Sequence, residues 1–260
     1  MKLLFIGDIV GEPGRHVIRE AVPRIKKRES IDVVVANCEN AAGGSGLTPE
    51  IADELFRYGV NILTSGDHIW KRKEIVDVLD VNPYILRPLN YPPNVPGNGS
   101  CVYKTEDGLQ IGVINLVGRV FMEAVDCPFR GGMAEVEKLR KRTQIILVDI
   151  HAEATSEKIA LSYYLDGLVS AICGTHTHVP TADEKVTANG TAYITDVGMT
   201  GPHKSVIGRK PEQIITRFIT QLPTRFQMAE EDLRLQGAII DIDEKTGKAN
   251  SIKRVEEKVG

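Results

Sequence analysis

The sequence predicts an α/β fold in which two packed sheets have helices on the outside. Short, wholly apolar runs recur between helical stretches, which is typical of parallel strands that are buried on both faces. Polar or glycine-containing turns follow these runs, where the next helix is due to begin. Several hairpins in the second half of the chain add antiparallel strands and favour two sheets. We expect a single domain over residues 1–260.

The first third of the chain is predicted to repeat a strand followed by a helix three times. The strands are expected at residues 2–6, 31–36 and 60–64. Pro13 suits the first position of the first helix, which runs to about Arg28. Thr48 caps the second helix and Gly59 ends it. The third helix is expected to run to about Asp80.

The rest of the chain is predicted to mix hairpins with further strand–helix units. Residues 83–99 hold five prolines and are expected to form a long ordered loop. Hairpins are predicted at residues 100–116, at 184–195 and near Lys245-Thr246-Gly247, because each contains a turn signal. Strands are expected at 145–150 and 169–173. Helices are expected near 131–142, from a cap at Thr155 or Ser156 to Gly167, and from Pro211 onward.

Composition and charge exclude several classes of protein. With 42% hydrophobic and 26% charged residues, the 260-residue chain resembles an average soluble domain rather than a disordered one. The net charge is 32 − 35 = −3 and no basic patch stands out, so duplex nucleic acid is not an expected partner. A homo-oligomer is expected on base rates alone.

No membrane or secretory segment is expected. No apolar run approaches the ~18 residues of a membrane span, and the N-terminal apolar run reaches Asp8 too soon for a signal peptide. The four cysteines form no C-x-x-C pair. We therefore expect reduced thiols in a cytoplasmic protein.

Side chains that can bind metals follow five of the predicted strands. They are Asp8, Glu39, Asn40, Asp67, His68, His151, His176 and His178. Ligand sites in open α/β sheets lie at the carboxyl ends of the strands, and these ends share one edge in a parallel sheet. We expect the side chains to converge there, since packing alone does not explain their repeated placement.

The number of donors favours two metal ions over one. A single zinc ion needs three or four protein ligands, whereas the set without His68 offers seven. These are Asp8, Glu39, Asn40, Asp67, His151, His176 and His178. Glu39 is central in the set and is our choice for a bridging carboxylate. Mixed nitrogen and oxygen ligands suit iron, manganese or zinc.

A two-metal centre of this kind predicts hydrolytic chemistry. A hydroxide that bridges two such ions is a nucleophile at neutral pH. His68 is the histidine left over, and an imidazole can protonate a leaving alkoxide because its pKa lies near neutrality. The loop Gly43-Gly44-Ser45-Gly46 lacks the spacing of a phosphate-binding loop, so we interpret it as a turn or as the rim of the site.

Six motifs resemble those of the YmdB family of bacterial metallophosphoesterases, which belongs to the calcineurin-like superfamily. In chain order they are GDIVGEPGR, NCENAAGGSGLT, SGDHIW, DIHAEATSEK, GTHTHV and TAYITDVGMTGP. The resemblance covers nearly the whole chain. It implies a four-layer α/β/β/α sandwich, a dinuclear centre of ferrous or ferric iron, and a cytoplasmic phosphodiesterase. The implied substrate is a small 2′,3′-cyclic nucleotide, opened to a 3′-nucleotide.

The resemblance also implies how the donors are shared. One metal would be held by Asp8, Glu39, Asn40 and His178, and the other by Glu39, Asp67, His151 and His176. His68 would be the proton donor. The family commonly has Asn where this chain has Asp67. An ionised Asp cannot donate a hydrogen bond to a phosphate, and it lowers the net charge of the site by one.

Other functions fit the same residues. A phosphomonoesterase, or a nuclease that acts on single strands, would use the same metal chemistry. A regulatory protein that binds nucleotides through metal and turns them over weakly is favoured by Asp67. A one-metal hydrolase on a TIM barrel is disfavoured, because the hairpins at 100–116 and 184–195 interrupt the βα units such a barrel needs.

Overall fold

Two mixed β-sheets and the helices packed against them make up the structure, a computed structural model that describes residues 1–260. The strands are β1 (Lys2–Ile6), β2 (Asp8–Ile9), β3 (Val33–Asn37), β4 (Ile62–Thr64), β5 (Ser100–Lys104), β6 (Gln110–Val117), β7 (Ile145–His151), β8 (Ala171–Thr175), β9 (Lys185–Val186), β10 (Ala192–Ile194), β11 (Met199–Pro202), β12 (Leu233–Ile242) and β13 (Ala249–Val259). The helices are α1 (Gly11–Glu29), α2 (Pro49–Arg57), α3 (Val76–Leu79), α4 (Pro128–Leu139), α5 (Thr155–Tyr164) and α6 (Pro211–Thr220).

The first sheet has seven strands and the second has six. In the first, β1, β3 and β4 are parallel neighbours, and β12 runs antiparallel to β1. In the second, β6, β7, β8 and β10 are parallel, and the antiparallel strands β5 and β9 lie at the two edges. The predicted parallel units and all three predicted hairpins are therefore confirmed.

Alternate side chains of the strands enter different parts of the core. Leu3 and Val33 of the first sheet share one buried cluster with Val113 and Leu147 of the second. The intervening residues of β1 and β3 pack instead with α1 and α2. Those of β6 and β7 pack with α4 and α5. Both faces of each sheet are thus covered, which explains why these strands are apolar without alternation.

One predicted helix is broken. In place of a helix up to Asp80, the chain forms two 3₁₀ turns at Ile69–Lys71 and Lys73–Ile75, followed by the single turn α3. Arg72 lies between the two turns in an extended conformation. Its guanidinium donates to the carbonyl oxygens of Ala42 and Ser45. This contact with a loop far away in sequence accounts for the interruption.

Three helix starts also differ from expectation. The helix α1 begins at Gly11, so Pro13 occupies its third position and not its first. The helix α4 begins at Pro128, three residues before the predicted start, with proline in the first turn. The helix α5 begins at Thr155 itself, and no side chain caps it, so the predicted cap at Thr155 or Ser156 is wrong. Thr48 does cap α2, because its side chain accepts from the backbone N–H of Ile51.

The remaining features concern cysteines, membranes and the surface. All four cysteines are free, as predicted. None of the helices combines the length and apolarity that crossing a bilayer requires. No residue of α6 is buried, although this helix contains several large apolar side chains.

Candidate metal centre

The predicted side chains converge at one place between the carboxyl ends of the strands. Asp8 follows β1, Glu39 follows β3 and Asp67 follows β4, so all three carboxylates come from the seven-stranded sheet. His151 ends β7, while His176 and His178 follow β8, so these three imidazoles come from the six-stranded sheet. The packing of one sheet on the other brings the two sets together.

Four donors form the tightest group. One ligand atom each from Glu39, Asp67, His151 and His176 lies within 4.8 Å of the others. The Nε2 atom of His151 is 3.1 Å from Glu39 Oε2, 3.5 Å from Asp67 Oδ1 and 3.0 Å from His176 Nδ1. Two imidazole nitrogens and two carboxylate oxygens thus point at a common centre.

A second group lies on the other side of Glu39. The Nε2 atom of His178 is 3.8 Å from Asp8 Oδ1 and 3.2 Å from Asn40 Nδ2. The Asn40 amide also donates to Glu39 Oε1 at 3.1 Å. Glu39 therefore faces one group with each of its two carboxylate oxygens. The seven predicted donors all belong to this constellation.

His68 lies beside the donors and is the most exposed of the histidines near Glu39. Its side chain is 31% exposed, whereas that of His151 is fully buried. Its Nδ1 atom is 2.8 Å from Asn40 Oδ1. Because an amide oxygen only accepts, Nδ1 carries the proton in this bond. The other ring nitrogen, Nε2, is then the one available to a ligand.

A buried hydrogen-bond chain fixes the tautomer of His151. The Thr175 hydroxyl donates its single proton to Asp149 Oδ1 at 2.8 Å, so it must accept at its 2.9 Å contact with His151 Nδ1. Nδ1 is therefore protonated, which leaves Nε2, directed at the donor group, as the ring nitrogen that can bind a metal. Carboxylate support of this kind orients histidines that bind metals. Burial raises the pKa of Asp149 to about 6.

The loop that carries His176 and His178 adopts an uncommon backbone conformation. Both residues have positive φ, 100° and 65°, which is rare outside glycine and costs free energy. The Asp196 carboxylate holds the residue between them, because it accepts from the backbone N–H and the hydroxyl of Thr177. Lys158 in turn donates to Asp196 and to the carbonyl of Thr175.

Burial and neighbouring charges shift the pKa values of several donors. Burial raises the pKa of Asp8 to about 7. Burial acts in the same direction on Glu39, but the charge of His151, its hydrogen bond to Glu39 and the charge of His68 together outweigh burial and lower the pKa of Glu39 to about 2. The pKa of His151 is raised well above its usual range despite burial, mainly by Glu39. Asp8 Oδ1 and Asp67 Oδ1 are buried without any hydrogen-bond donor.

Unsatisfied carboxylate oxygens beside convergent imidazole nitrogens are the donor set of a transition-metal site. Gly66 adds to this, because a Cβ atom there would overlap both Glu39 Oε2 and His151 Nε2. Glycine, which has no side chain, thus leaves room for these two donors to approach each other. The residues present fit a metal, and the cluster is a candidate metal-binding site.

Comparison with known proteins decides the family. A model of the family described as YmdB-like protein matches residues 4–255. The chain belongs to this family. The resemblance stated from the six sequence motifs is therefore confirmed.

Several YmdB-like relatives cover nearly the full length of the chain. A Bacillus subtilis protein named 2′,3′-cyclic-nucleotide 2′-phosphodiesterase is 48% identical, with 98% of this chain and 96% of the relative covered. A putative phosphatase/phosphodiesterase from Mycoplasma genitalium is 36% identical, with 98% and 92% covered.

Solved structures agree with this assignment. A hypothetical protein from Thermus thermophilus superposes with a TM-score of 0.93 at 40% identity, and 99% of each chain is covered. A structure described as a novel phosphatase from Mycoplasma pneumoniae gives a TM-score of 0.91 at 36% identity, with 99% of this chain and 93% of that chain covered.

In this YmdB-like chain, a cavity of about 520 Å³ opens directly beside the donors. Glu39, Asn40, His68, His176 and His178 line one wall of it. A larger cavity of about 770 Å³ lies elsewhere, near the start of α1, and contains none of the seven donors or His68. The position of a ligand is better indicated by the donors than by cavity size, so the smaller cavity is the candidate substrate site.

Sequence reasoning missed the residues that support the donors. Asp149, Lys158, Thr175 and Asp196 are all buried and were not among the predicted site residues. One signal was available, since Asp149 is a charged residue inside the otherwise apolar run that leads to His151. It lies two positions before that histidine, on the same face of the strand.

Proposed function

We propose that this chain is a metal-dependent phosphodiesterase that opens 2′,3′-cyclic nucleotides to 3′-nucleotides. The observation that carries the proposal is the convergence of three carboxylates and three imidazoles beside an open cavity. The name of the Bacillus subtilis relative, at 48% identity over nearly the whole chain, supports the choice of substrate.

The proposed centre holds two metal ions that share Glu39. One would be bound by Asp8, Glu39, Asn40 and His178, and the other by Glu39, Asp67, His151 and His176. Two observations support this division. The donors Glu39, Asp67, His151 and His176 form one compact group, and the two carboxylate oxygens of Glu39 face opposite groups. The Asn40 oxygen that accepts from His68 has a second lone pair for a cation. Iron is the proposed metal, with manganese and zinc as alternatives.

When bound, the ions would neutralise the phosphate oxygens and supply a hydroxide nucleophile at neutral pH. The chain itself would supply the proton for the leaving group. His68 Nδ1–H is held by Asn40 Oδ1, so the proton to be transferred sits on Nε2 of the imidazolium. This side chain lines the cavity, where it can reach the departing ribose 2′-oxygen.

The proposed fold is a single domain over residues 1–260 with layers in the order helix, sheet, sheet, helix. The three buried clusters support it, because one joins the two sheets and the others join each sheet to its own helices. This arrangement would make the site depend on the contact between the sheets, since one sheet provides the oxygen donors and the other provides the imidazoles.

The experiment is to purify the protein without chelator or added metal, measure metal per chain, and assay the same sample. The substrates are 2′,3′-cyclic AMP and bis-p-nitrophenyl phosphate, with p-nitrophenyl phosphate as the monoester control. We expect about two ions per chain and turnover of the diesters well above that of the monoester, with 3′-AMP as the product. Preferred hydrolysis of the monoester would identify a phosphomonoesterase instead.

A second candidate is favoured by Asp67 alone. A third negative carboxylate at the centre weakens attraction for an anionic phosphate, which suits a regulatory protein that binds nucleotides and turns them over weakly. Two metals per chain with tight nucleotide binding and negligible turnover would select this function. One metal or none, even after reconstitution, would overturn the two-metal assignment.

A further inference from the structure

The helix α6 contributes three side chains to the lining of the candidate substrate cavity. Ile214, Arg217 and Phe218 of α6 all line the cavity. They are spaced i, i+3 and i+4, so they share one face of the helix. Phe226, which follows the helix, lines the same cavity. The helix therefore presents an apolar and aromatic surface to the space beside the donors.

This surface is left open to solvent. The side chain of Phe218 is 74% exposed, although burying a phenyl ring stabilises a protein more than leaving it in water. Ile207 and Phe226 are also exposed at the same cavity. An aromatic ring that is held on a helix, faces a cavity and lacks a protein neighbour over it offers a flat apolar surface to a ligand.

Two arginines line the cavity without a carboxylate partner of their own, although Glu39 and Glu153 line it as well. Neither Arg209 nor Arg217 forms an ion pair with any carboxylate, although both line the cavity. Arg209 donates instead to the carbonyl oxygens of Gly43 and Gly44, and Arg217 donates to the carbonyl of Gln221. The cavity thus combines free cations, an aromatic face and metal donors. This is the combination that a nucleotide, with its anionic phosphate and flat base, would match.

We infer that Phe218 is the base-stacking residue of a nucleoside subsite formed by the α6 wall of this cavity. The inference rests on the proposed function, since the phosphate would lie at the donors and the base would extend toward the helix. A cavity of about 520 Å³ is in the usual range for a ligand of that size. Phe218 lies outside the metal centre, so it sets substrate affinity rather than the chemical step.

The test compares two substrates that differ only in the base. One is 2′,3′-cyclic AMP and the other is methyl ribofuranoside 2′,3′-cyclic phosphate, which has the same reacting group without a base. We expect F218A to lower kcat/KM on cyclic AMP about tenfold, through KM, because aromatic stacking changes affinity by roughly 5- to 150-fold per base. Turnover of the base-free substrate should stay unchanged, and F218Y should behave like wild type.

The matched control is I219A on the same helix. Ile219 is 77% exposed but does not line the cavity, so truncating its side chain should leave kcat/KM unchanged on both substrates. Thermal midpoint and molecular mass in solution are measured for each variant. A tenfold loss that accompanied a change of mass or stability in F218A, and that appeared equally on both substrates, would overturn the stacking role.

The outcomes separate this inference from the proposed function. If wild type cleaves both substrates equally well and F218A matches it, the subsite is wrong and the phosphodiesterase stands. If wild type cleaves neither, the proposed function fails, and calorimetric titration with adenosine 3′-monophosphate decides the subsite. Weaker binding by F218A than by I219A would then support it, and equal binding would overturn it.

Discussion

The ammonium of Lys158 and the carboxylate of Asp196 form an ion pair in the protein interior, with Nζ and Oδ2 2.9 Å apart and each side chain only 1% exposed. Lys158 also donates to the carbonyl of Thr175, and Asp196 accepts from Thr177. The pair is thus bonded to the residues on both sides of His176. It fixes the segment in which two of the candidate metal ligands adopt positive φ.

Removing the lysine charge should therefore destabilise the fold strongly. In K158M, the Asp196 carboxylate would be left buried without a counter-charge, which costs about 3–5 kcal/mol in comparable cases. Urea unfolding at neutral pH measures the loss. The matched control is K138M, since Lys138 is 70% exposed and pairs with Glu135 at the surface; we expect less than about 1 kcal/mol there. Equal losses in the two variants would contradict the role of the buried pair.

A methyl group at position 66 should damage the metal site. In G66A, the new Cβ would displace Glu39 and His151, the donors it overlaps. We expect metal affinity to fall by at least the ~10–100-fold seen when outer-shell residues of metal sites are changed. Metal content after dialysis against a defined free-metal buffer is the measurement.

G131A is the matched control for this substitution. No atom lies within 4 Å of a Cβ built at Gly131, which is inside α4. The change should leave metal content intact and raise stability by about 0.5–1 kcal/mol, because alanine is the better helix former. Full metal content in G66A would show that the donors tolerate a side chain there.

Loss of His68 should affect turnover according to the leaving group. H68N should lower kcat on 2′,3′-cyclic AMP by about 10²–10⁴-fold, since the ribose oxygen needs a proton. Hydrolysis of bis-p-nitrophenyl phosphate should suffer less, because p-nitrophenolate leaves without one. Metal content should not change. H16A on α1, whose ring contacts Arg19, serves as the control. Equal losses on both substrates would contradict general-acid catalysis by His68.

Replacing Asp67 by asparagine should raise turnover and keep the metal. Two divalent ions and the carboxylates Asp8, Glu39 and Asp67 sum to +1, and the substitution would raise this to +2. The amide would also offer a donor to a phosphate oxygen. We expect a severalfold gain in kcat/KM on cyclic AMP, with D77N at the exposed surface of α3 unchanged. Lower turnover at full metal content would refute this reasoning.

Adding metal to stripped protein should stabilise it. Free Mn²⁺ or Fe²⁺ at 100 times its Kd would contribute about 2.7 kcal/mol, seen as a higher thermal midpoint. Mg²⁺ at the same concentration should shift the midpoint less, because imidazole ligands suit it poorly. H151A removes a central donor and should reduce the shift. A thermal midpoint that does not change on addition of Mn²⁺ or Fe²⁺ would argue against a metal site.

The features that follow from local sequence could be predicted, and those that depend on distant contacts could not. The cap at Thr48 and the helix opened by Pro211 are local signals and are confirmed. The prediction of a continuous helix through Arg72 was wrong, because the interruption comes from hydrogen bonds to a loop 27–30 residues earlier. Pro128 was a local signal for the start of α4 that the prediction overlooked.

The candidate site shows the same division. The metal-binding side chains were found because each follows a predicted strand, and parallel strands end at one edge. The order of the residues along the chain does not show which donors face each other across the two sheets, and only the resemblance to the YmdB family implied that grouping. Lys158 and Asp196 lie 38 positions apart, so their ion pair could not be predicted from the sequence either. The same holds for Phe218, whose helix was predicted but whose exposure beside the cavity depends on the tertiary fold.

The origin of the donors has a mechanical consequence. Because Asp8, Glu39 and Asp67 belong to one sheet and His151, His176 and His178 to the other, an ion held among them would act as a cross-link between two halves of the molecule. Sliding one sheet over the other would then require ligand bonds to break. Loss of the ion and loosening of the interface between the sheets would be a single cooperative event, because metal binding is coupled to folding.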